Sequence, residues 1–247
     1  MGKKHNFVQI PLIIPVRRGY NTLMVSYKLI RTNRKTIALY VRDGYVEVRA
    51  PMRTPKGDID RFVLSKEKWI DDNLAKSKER VALRESFALD YGDKVVYRGE
   101  EFPIAERQGD RVGFGDDGFY MPPGLSRERI KGACRQIYLM LAKRDLRNRT
   151  LAFSKKMYLV PSAIKINSAK TRWGSCSEKR SLNFSWRLIM ADDEVIDYVV
   201  VHELAHIAEP NHSHRFWAIV EAVLPDYVER RARLKELQQR LSAEDWD

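Results

Sequence analysis

Four of the five histidines in this chain lie within thirteen residues, at positions 202, 206, 212 and 214. The first two belong to the pentapeptide His202-Glu203-Leu204-Ala205-His206, which is an HExxH pattern. Residues four apart on a helix lie on the same face, one turn apart, so both imidazoles can reach a single metal ion. Glu203 lies between them in the sequence and can reach a water at the metal. The spacing therefore predicts a metal site on a helix.

The expected metal is zinc, one ion per chain, because zinc binds imidazole readily and catalytic zinc sites keep one position open for water. Such a site lowers the pKa of water to about 7 and polarises a carbonyl group. We expect Glu203 to act as the general base that accepts the proton of the water and passes it to the leaving amine. The predicted activity is hydrolysis of peptide bonds in a protein or peptide substrate.

The third metal ligand has several candidates. Pro210 cannot continue the first helix and Asn211 is a good N-cap, so His212 is expected to open the next helix and face the ion. His214 is a second imidazole at nearly the same position. A carboxylate also competes, since zinc sites with two histidines and one glutamate are common. The nearby acidic candidates are Glu209, Glu221 and Glu229.

The order of elements predicts an α+β fold, with a β-rich first part followed by helices and one hairpin. Two β-rich runs, 36–42 and 45–50, flank Asp43-Gly44, which suits a two-residue hairpin turn. One amphipathic helix is predicted over 55–80, and short strands follow between 91 and 121. We divide the chain into a basic, mainly β part, 1–124, and a metallopeptidase domain, 125–247.

The second part of the chain is predicted to be mostly helical. A long helix begins near Ser126 and continues to about residue 157. Two strand candidates, 163–167 and 182–186, are linked by a turn-rich segment, 170–180. Three further helices are predicted over 193–208, 212–223 and 225–241.

The segment Arg172-Trp173-Gly174-Ser175 is the predicted substrate-binding region. A hairpin beside the metal-binding helix could pair with an extended peptide by strand addition, and Gly174 would permit a close approach of the backbone. The developing oxyanion needs a stabilising group. The candidates for it are Arg172, Tyr198, His214 and Tyr227. The candidate acceptors for N–H groups of the metal-binding imidazoles are Asp197, Asn183 and Asp226.

The charge is unevenly distributed along the chain, whose formal net charge is +12. Residues 1–85 hold 19 Lys and Arg against 9 Asp and Glu, whereas residues 161–247 hold 12 against 14. The basic first part suggests an alternative function, a nucleic-acid-associated protein with a structural or vestigial zinc site, or a protease that acts on DNA-bound proteins. No helix-turn-helix, zinc-finger or RNP pattern accompanies that charge.

The cellular setting is predicted to be the cytoplasm. Cys134 and Cys176 are the only cysteines and form no CxxC pattern, which fits a reducing compartment. Cys134 falls on an apolar helical stripe, and Cys176 is a further candidate zinc ligand as a thiolate. The most apolar early stretch, 10–16, contains two prolines and is too short to span a membrane.

These motifs together resemble those of the YgjP-like metallopeptidases, which belong to the zincin group. The resemblance is carried by Ile196–His206, Asn211–Ser213 and Phe216-Trp217, and upstream by Lys170–Ser177 and Leu182–Leu188. Weaker likeness in 34–38 and 46–55 extends it over most of residues 25–240. The family is similar in turn to the SprT-like proteases, some of which act on proteins bound or crosslinked to DNA.

The resemblance implies a zincin-like catalytic domain with an HExxH helix and an antiparallel hairpin. Carried over by position, the family's zinc ligands fall on His202, His206 and His212, and its catalytic carboxylate falls on Glu203. The resemblance therefore favours His212 over His214 as the third ligand.

Overall fold

The computed structural model of the chain describes residues 13–16 and 25–246. These residues form three small sheets and six α-helices, which confirms the predicted α+β class. The chain divides into two compact units, residues 1–87 and residues 88–247. The predicted boundary after residue 124 marks the start of a catalytic domain. The division into compact units does not test that boundary, so the boundary stays a prediction.

The N-terminal unit contains one four-stranded sheet and two helices. Its strands are β1 (Ile13–Val16), β2 (Val25–Thr32), β3 (Ala38–Arg42) and β4 (Tyr45–Pro51), in the order β1-β2-β4-β3. The predicted hairpin joins β3 to β4 in antiparallel register, with Asp43 at φ 45° and Gly44 at φ 78°. Both φ values lie in the left-handed region that this kind of two-residue turn requires.

One helix was predicted over 55–80, but the structure has two, α1 (Lys56–Leu64) and α2 (Glu67–Ser86). The interruption falls at Ser65 and Lys66. The Ser65 hydroxyl donates a hydrogen bond to the Phe62 carbonyl, and Lys66 leaves helical geometry with φ −113° and ψ 14°. The apolar spacing continues through the break because both helices cover the same core, with Ile59 and Ile70 fully buried.

The C-terminal unit begins with a second four-stranded sheet. Its strands are β5 (Lys94–Tyr97), β6 (Glu100–Glu106), β7 (Gly113–Gly115) and β8 (Gly118–Met121), in the order β5-β6-β8-β7. The long helix α3 (Arg127–Met157) follows, close to its predicted bounds. Its apolar stripe is buried, and Cys134 lies within it, fully buried as expected of a core thiol.

A three-stranded sheet and three helices complete this unit. The strands are β9 (Ala163–Asn167), β10 (Gly174–Cys176) and β11 (Ser181–Ser185), in the order β10-β11-β9. A 3-10 helix (Trp186–Met190) leads into α4 (Asp193–Ala205), α5 (His214–Val223) and α6 (Tyr227–Leu241).

The two strand candidates around the turn-rich segment are neighbours, but they run parallel as β9 and β11. The antiparallel partner of β11 is β10, which lies inside the segment that was predicted as turn. Within this segment only three residues, Gly174, Ser175 and Cys176, pair with β11. A strand this short shows no alternating pattern in the sequence.

Helix α4 is held at its N-terminal end by two other elements. The Asp192 side chain caps the helix by accepting from the Val195 N–H at 3.0 Å. From α3, the Arg149 guanidinium donates to Asp193 and, at 2.6 Å, to Asp197. Asp197 therefore serves a helix-helix contact, not an imidazole N–H as one prediction had it. Arg98, in the turn between β5 and β6, also pairs with Asp193, with an Nε–Oδ1 distance of 2.6 Å.

Gly99 in the same turn packs directly on the start of α4. It has φ +81°, and a Cβ atom added there would lie 2.9 Å from the Asp192 Cβ. Gly99→Ala is therefore expected to introduce left-handed strain of about 1–2 kcal/mol, and overpacking that adds about 1–3 kcal/mol. Urea unfolding of the full chain measures the loss.

Gly92→Ala is the matched control, because Gly92 has φ +87° and no heavy atom within 4 Å of the added Cβ. It should show the backbone strain alone. Equal losses in the two variants would contradict a packing role for Gly99.

Three large aromatic rings, those of Tyr138, Trp186 and Trp246, pack together in the C-terminal unit. Trp246 is buried and contacts Tyr138 and Trp186 edge-on, with ring centroids 5.4 Å and 5.9 Å apart. Tyr138 and Trp186 stack on each other at 5.5 Å. Trp246 thus belongs to the core of this unit beside α3.

None of the helices in the described part of the chain has the length and apolar character that a membrane span requires. Of the apolar stretch 10–16, residues 10–12 lie outside the described part. Two ranges of the basic segment 1–85, namely 1–12 and 17–24, also lie outside the described part.

Candidate metal centre

Three imidazoles converge at the end of α4. His202 lies in the last turn of the helix, His206 follows its last residue, and His212 lies in the loop before α5. One ligand atom from each lies within 4.8 Å of the others, and among the described residues this is the group of His, Cys, Asp and Glu side chains that could hold a metal. The Nε2 atoms of His202 and His212 are 3.0 Å apart.

Helix α5 begins two residues later than predicted. Its N-cap is Ser213, whose hydroxyl accepts from the Phe216 N–H at 3.3 Å, and not Asn211. His212 therefore belongs to the loop and does not open the helix. His214 is the first helical residue and is exposed, outside the converging group. The carboxylates considered as competitors, those of Glu209, Glu221 and Glu229, also lie outside the group.

The surroundings of His202 and His206 favour neutral imidazoles. The Nδ1 of His206 lies 3.2 Å from the Glu209 carbonyl oxygen, so a proton on Nδ1 is donated there and Nε2 stays available. Burial lowers the pKa of His202 to about 3, with a further contribution from His206 and His212. Burial also lowers the pKa of His206. Neutral imidazole is the form that binds metal.

The geometry of these nitrogens fits a metal ion. Two nitrogens held at about 2.0–2.1 Å by a tetrahedral zinc are roughly 3.3 Å apart, close to the observed Nε2–Nε2 distance. The His202 Nδ1 is buried and has no hydrogen-bond partner among the described residues. An imidazole whose Nδ1 is enclosed in this way offers Nε2 as the nitrogen for a metal. The residues present therefore fit a three-histidine site.

Glu203 is buried against β10. Its side chain is on the turn of α4 that carries His202, and the residue is only 6% exposed. A Cβ atom added to Gly174 would lie 2.5 Å from both Cγ and Oε1 of Glu203, so the carboxylate occupies the space that a side chain at 174 would fill. Burial raises the pKa of Glu203 to about 7, and the charge of Arg172 opposes the shift.

An open cleft of about 600 Å³ runs between β10 and the histidines. It is lined by residues 174–178 and 180 on one side, and by the three histidines, Glu203, Ile207 and Pro210 on the other. The predicted binding residues Gly174 and Ser175 line it directly. Arg180 also lines the cleft and was not predicted, because nothing in its sequence surroundings marks it as a binding residue.

At every second residue of β10, the backbone N–H and C=O groups point away from β11, toward the free edge of the strand. Ser185 donates its N–H to the Trp173 carbonyl, and Ser177 donates to the Ser181 carbonyl. Because the register continues through Ser175, the backbone groups of Gly174 and Cys176 point to the opposite edge. Among the described residues β10 is the end strand of its sheet, so this edge is open to pairing.

The other predicted residues are more dispersed. Arg172 is exposed and affects Glu203 by its charge, while Trp173 is half-buried. Tyr198 is buried with its ring 5.8 Å from that of His202, and burial raises its pKa. Cys176 lines the cleft, and burial and the charge of Glu203 raise its pKa. It lies outside the converging group of three histidines.

Aromatic side chains of α5 and α6 lie around the three histidines. Phe216 is fully buried, with its ring 4.5–4.9 Å from those of His202, His206 and His212. The Trp217 ring stacks on that of His212 at 5.8 Å, and the Tyr227 ring stacks on Trp217 at 5.2 Å. Asp226, a predicted imidazole partner, pairs with Arg230 instead.

Comparison with known proteins assigns the chain to a family. The model of the YgjP-like family, metallopeptidase domain, matches residues 35–237, most of the chain. The chain therefore belongs to the YgjP-like metallopeptidases, a family of metal-dependent peptidases whose substrates are proteins or peptides. A search of curated proteins gives no match.

Two solved structures are similar over part of the chain. The metallopeptidase zymogen abylysin of Pyrococcus abyssi is 18% identical, with a TM-score of 0.35, over 40% of this chain and 97% of that one. The metallopeptidase zymogen jannalysin of Methanocaldococcus jannaschii is 21% identical, with a TM-score of 0.34, over 38% and 96%. Both TM-scores are low, so the assignment rests on the family match.

Proposed function

We propose that this chain is a zinc-dependent peptidase of HExxH type, with His202, His206 and His212 as ligands of one zinc ion. The observation that carries the proposal is the convergence of three imidazoles beside a buried carboxylate at an open cleft. His206 and His202 lie four residues apart at the end of α4, and the loop brings His212 to the same point. The catalytic part is of zincin type, with β10 and β11 as its hairpin.

Zinc, when bound, supplies a Lewis acid that lowers the pKa of water and polarises the scissile carbonyl group. Glu203 accepts a proton from the attacking water on its carboxylate and later donates it to the nitrogen of the leaving amine. The backbone of Gly174 confines this carboxylate on one side, so it stays directed at the cleft. Arg172, whose positive charge acts on Glu203, and Tyr198, whose phenol stays protonated because burial raises its pKa, are the preferred candidates for stabilising the oxyanion, ahead of His214 and Tyr227.

We propose that the substrate binds as an extended peptide along β10. The outward N–H and C=O groups of Gly174 and Cys176 are unpaired within the sheet and can form a ladder with a substrate backbone. Main-chain pairing of this kind holds a peptide without selecting its sequence. The side chains of Ser175 and Arg180 then contact the substrate side chains.

Elemental analysis of the purified chain tests the metal site. About one zinc per chain is expected for the wild type. His202→Ala, His206→Ala and His212→Ala should each lose most of it, because three protein ligands are the minimum of a catalytic zinc site. His214→Ala is the control and should keep its zinc. Full zinc content in His212→Ala, with loss in His214→Ala, would contradict the proposed third ligand.

A further inference from the structure

We propose that Trp217 is a positioning residue that fixes the imidazole of His212 for metal binding. The inference rests on the proposed zinc site. It concerns a residue that the sequence marked only by its place in the family motif Phe216-Trp217.

The three proposed ligands differ in how the fold holds them. His202 is on α4, and His206 at its end is fixed by the Glu209 carbonyl oxygen. His212 is on the loop that precedes α5, and it is the exposed member of the three. A loop imidazole that rotates freely loses more conformational entropy on binding a metal than one already held in place. The third ligand therefore needs support from its neighbours.

Trp217 supplies a flat surface for that imidazole. The rings of His212 and Trp217 are stacked at an interplanar angle of 28°, with centroids 5.8 Å apart. Phe216 meets the same imidazole nearly edge-on, at 4.7 Å and 72°. Trp217 thus limits tilting of the His212 ring out of its plane. Phe216 limits its movement on another side.

Two residues of α6 contact the ring of Trp217. Tyr227 stacks on it at 5.2 Å and 19°, and the guanidinium of Arg231 lies 5.4 Å from the centre of its ring. Aromatic stacking and cation–π contacts both favour a defined ring orientation. His212, Trp217 and Tyr227 form one series of stacked rings. The contacts of Trp217 with Tyr227 and Arg231 therefore link α6 to the metal-binding loop.

The test measures the zinc dissociation constant by competition with a chromophoric chelator. Trp217→Leu keeps an apolar side chain but removes the ring, and should raise the dissociation constant by about 10–100-fold, the range found when groups that orient metal ligands are replaced. Trp217→Phe keeps a stacking surface and should stay within about threefold of the wild type. Zinc affinity is measured only on variants that are folded by circular dichroism.

Val220→Ala is the matched control on the same helix. Val220 is fully buried one turn beyond Phe216, so its truncation should lower the free energy of unfolding and leave the zinc dissociation constant unchanged. Equal zinc affinity in Trp217→Leu and Trp217→Phe, with clear loss in His212→Ala, would overturn the positioning role of Trp217. The proposed zinc site would still stand. Wild-type affinity in His212→Ala would instead remove the third ligand from the proposed function, and the inference with it.

Discussion

Replacing Glu203 by glutamine is expected to abolish peptide hydrolysis while the zinc content stays at the wild-type value. The amide keeps the size and hydrogen-bonding capacity of the side chain, but it cannot accept a proton from water. Loss of a general base lowers turnover by about 10²–10⁴-fold. The measurement is hydrolysis of a labelled unfolded protein such as casein, with elemental analysis of the same sample.

Glu194→Gln is the matched control for this change. Glu194 is on the same helix but exposed, and its carboxylate pairs with Arg233 far along the chain. Both its activity and its zinc content should match the wild type. Retained turnover in Glu203→Gln would remove Glu203 as the base, and loss of zinc there would make the carboxylate a ligand.

Gly174→Ala is expected to cost nearly as much activity as the loss of Glu203 itself. A methyl group at 174 would overlap Cγ, Oε1 and Cδ of Glu203, at 2.5, 2.5 and 2.7 Å, and must push the carboxylate away. A displacement of about 1 Å in a reacting group lowers the rate by about 10²-fold. The zinc content should not change, because none of the three histidines lies at the overlap.

A matched control separates this steric effect from others. Gly132→Ala makes the same chemical change on α3, where no heavy atom lies within 4 Å of the added Cβ, and should keep full activity. Full activity in Gly174→Ala would show that Glu203 functions without occupying this space.

The histidine pair was predictable because helical periodicity alone brings residues 202 and 206 to one face. The same holds for α3, where apolar spacing over many turns indicated a buried stripe close to the observed bounds. The turn at Asp43-Gly44 was also predictable, since few dipeptides accept two left-handed φ values. Each of these features depends on a short stretch of chain.

Features that depend on distant residues were not predictable. Nothing near Gly174 in the sequence shows that Glu203, 29 positions later, fills the space beside it. The start of α5 depended on which of two polar residues capped it, and Ser213 does so instead of Asn211. The stacking of Trp217 with both His212 and Tyr227 requires the start of α6 to lie beside Trp217. Tertiary packing decides all three.

Several predictions stay as they were made. They are the boundary after residue 124, the cytoplasmic setting and the association of the basic first part with nucleic acid. Part of that basic charge belongs to residues outside the described part of the chain. A steep fall of DNA affinity with rising salt would support the nucleic-acid alternative, because cationic side chains release counterions from the phosphates.

The burial of Trp246 has a consequence for the order of events during synthesis. Residues that carry the histidines leave the ribosome before residue 246, which supplies the ring that packs on Tyr138 and Trp186. The C-terminal unit therefore cannot complete its core while residue 246 is still in the exit tunnel. The metal-binding segment is therefore synthesised before the core of its own unit can be complete.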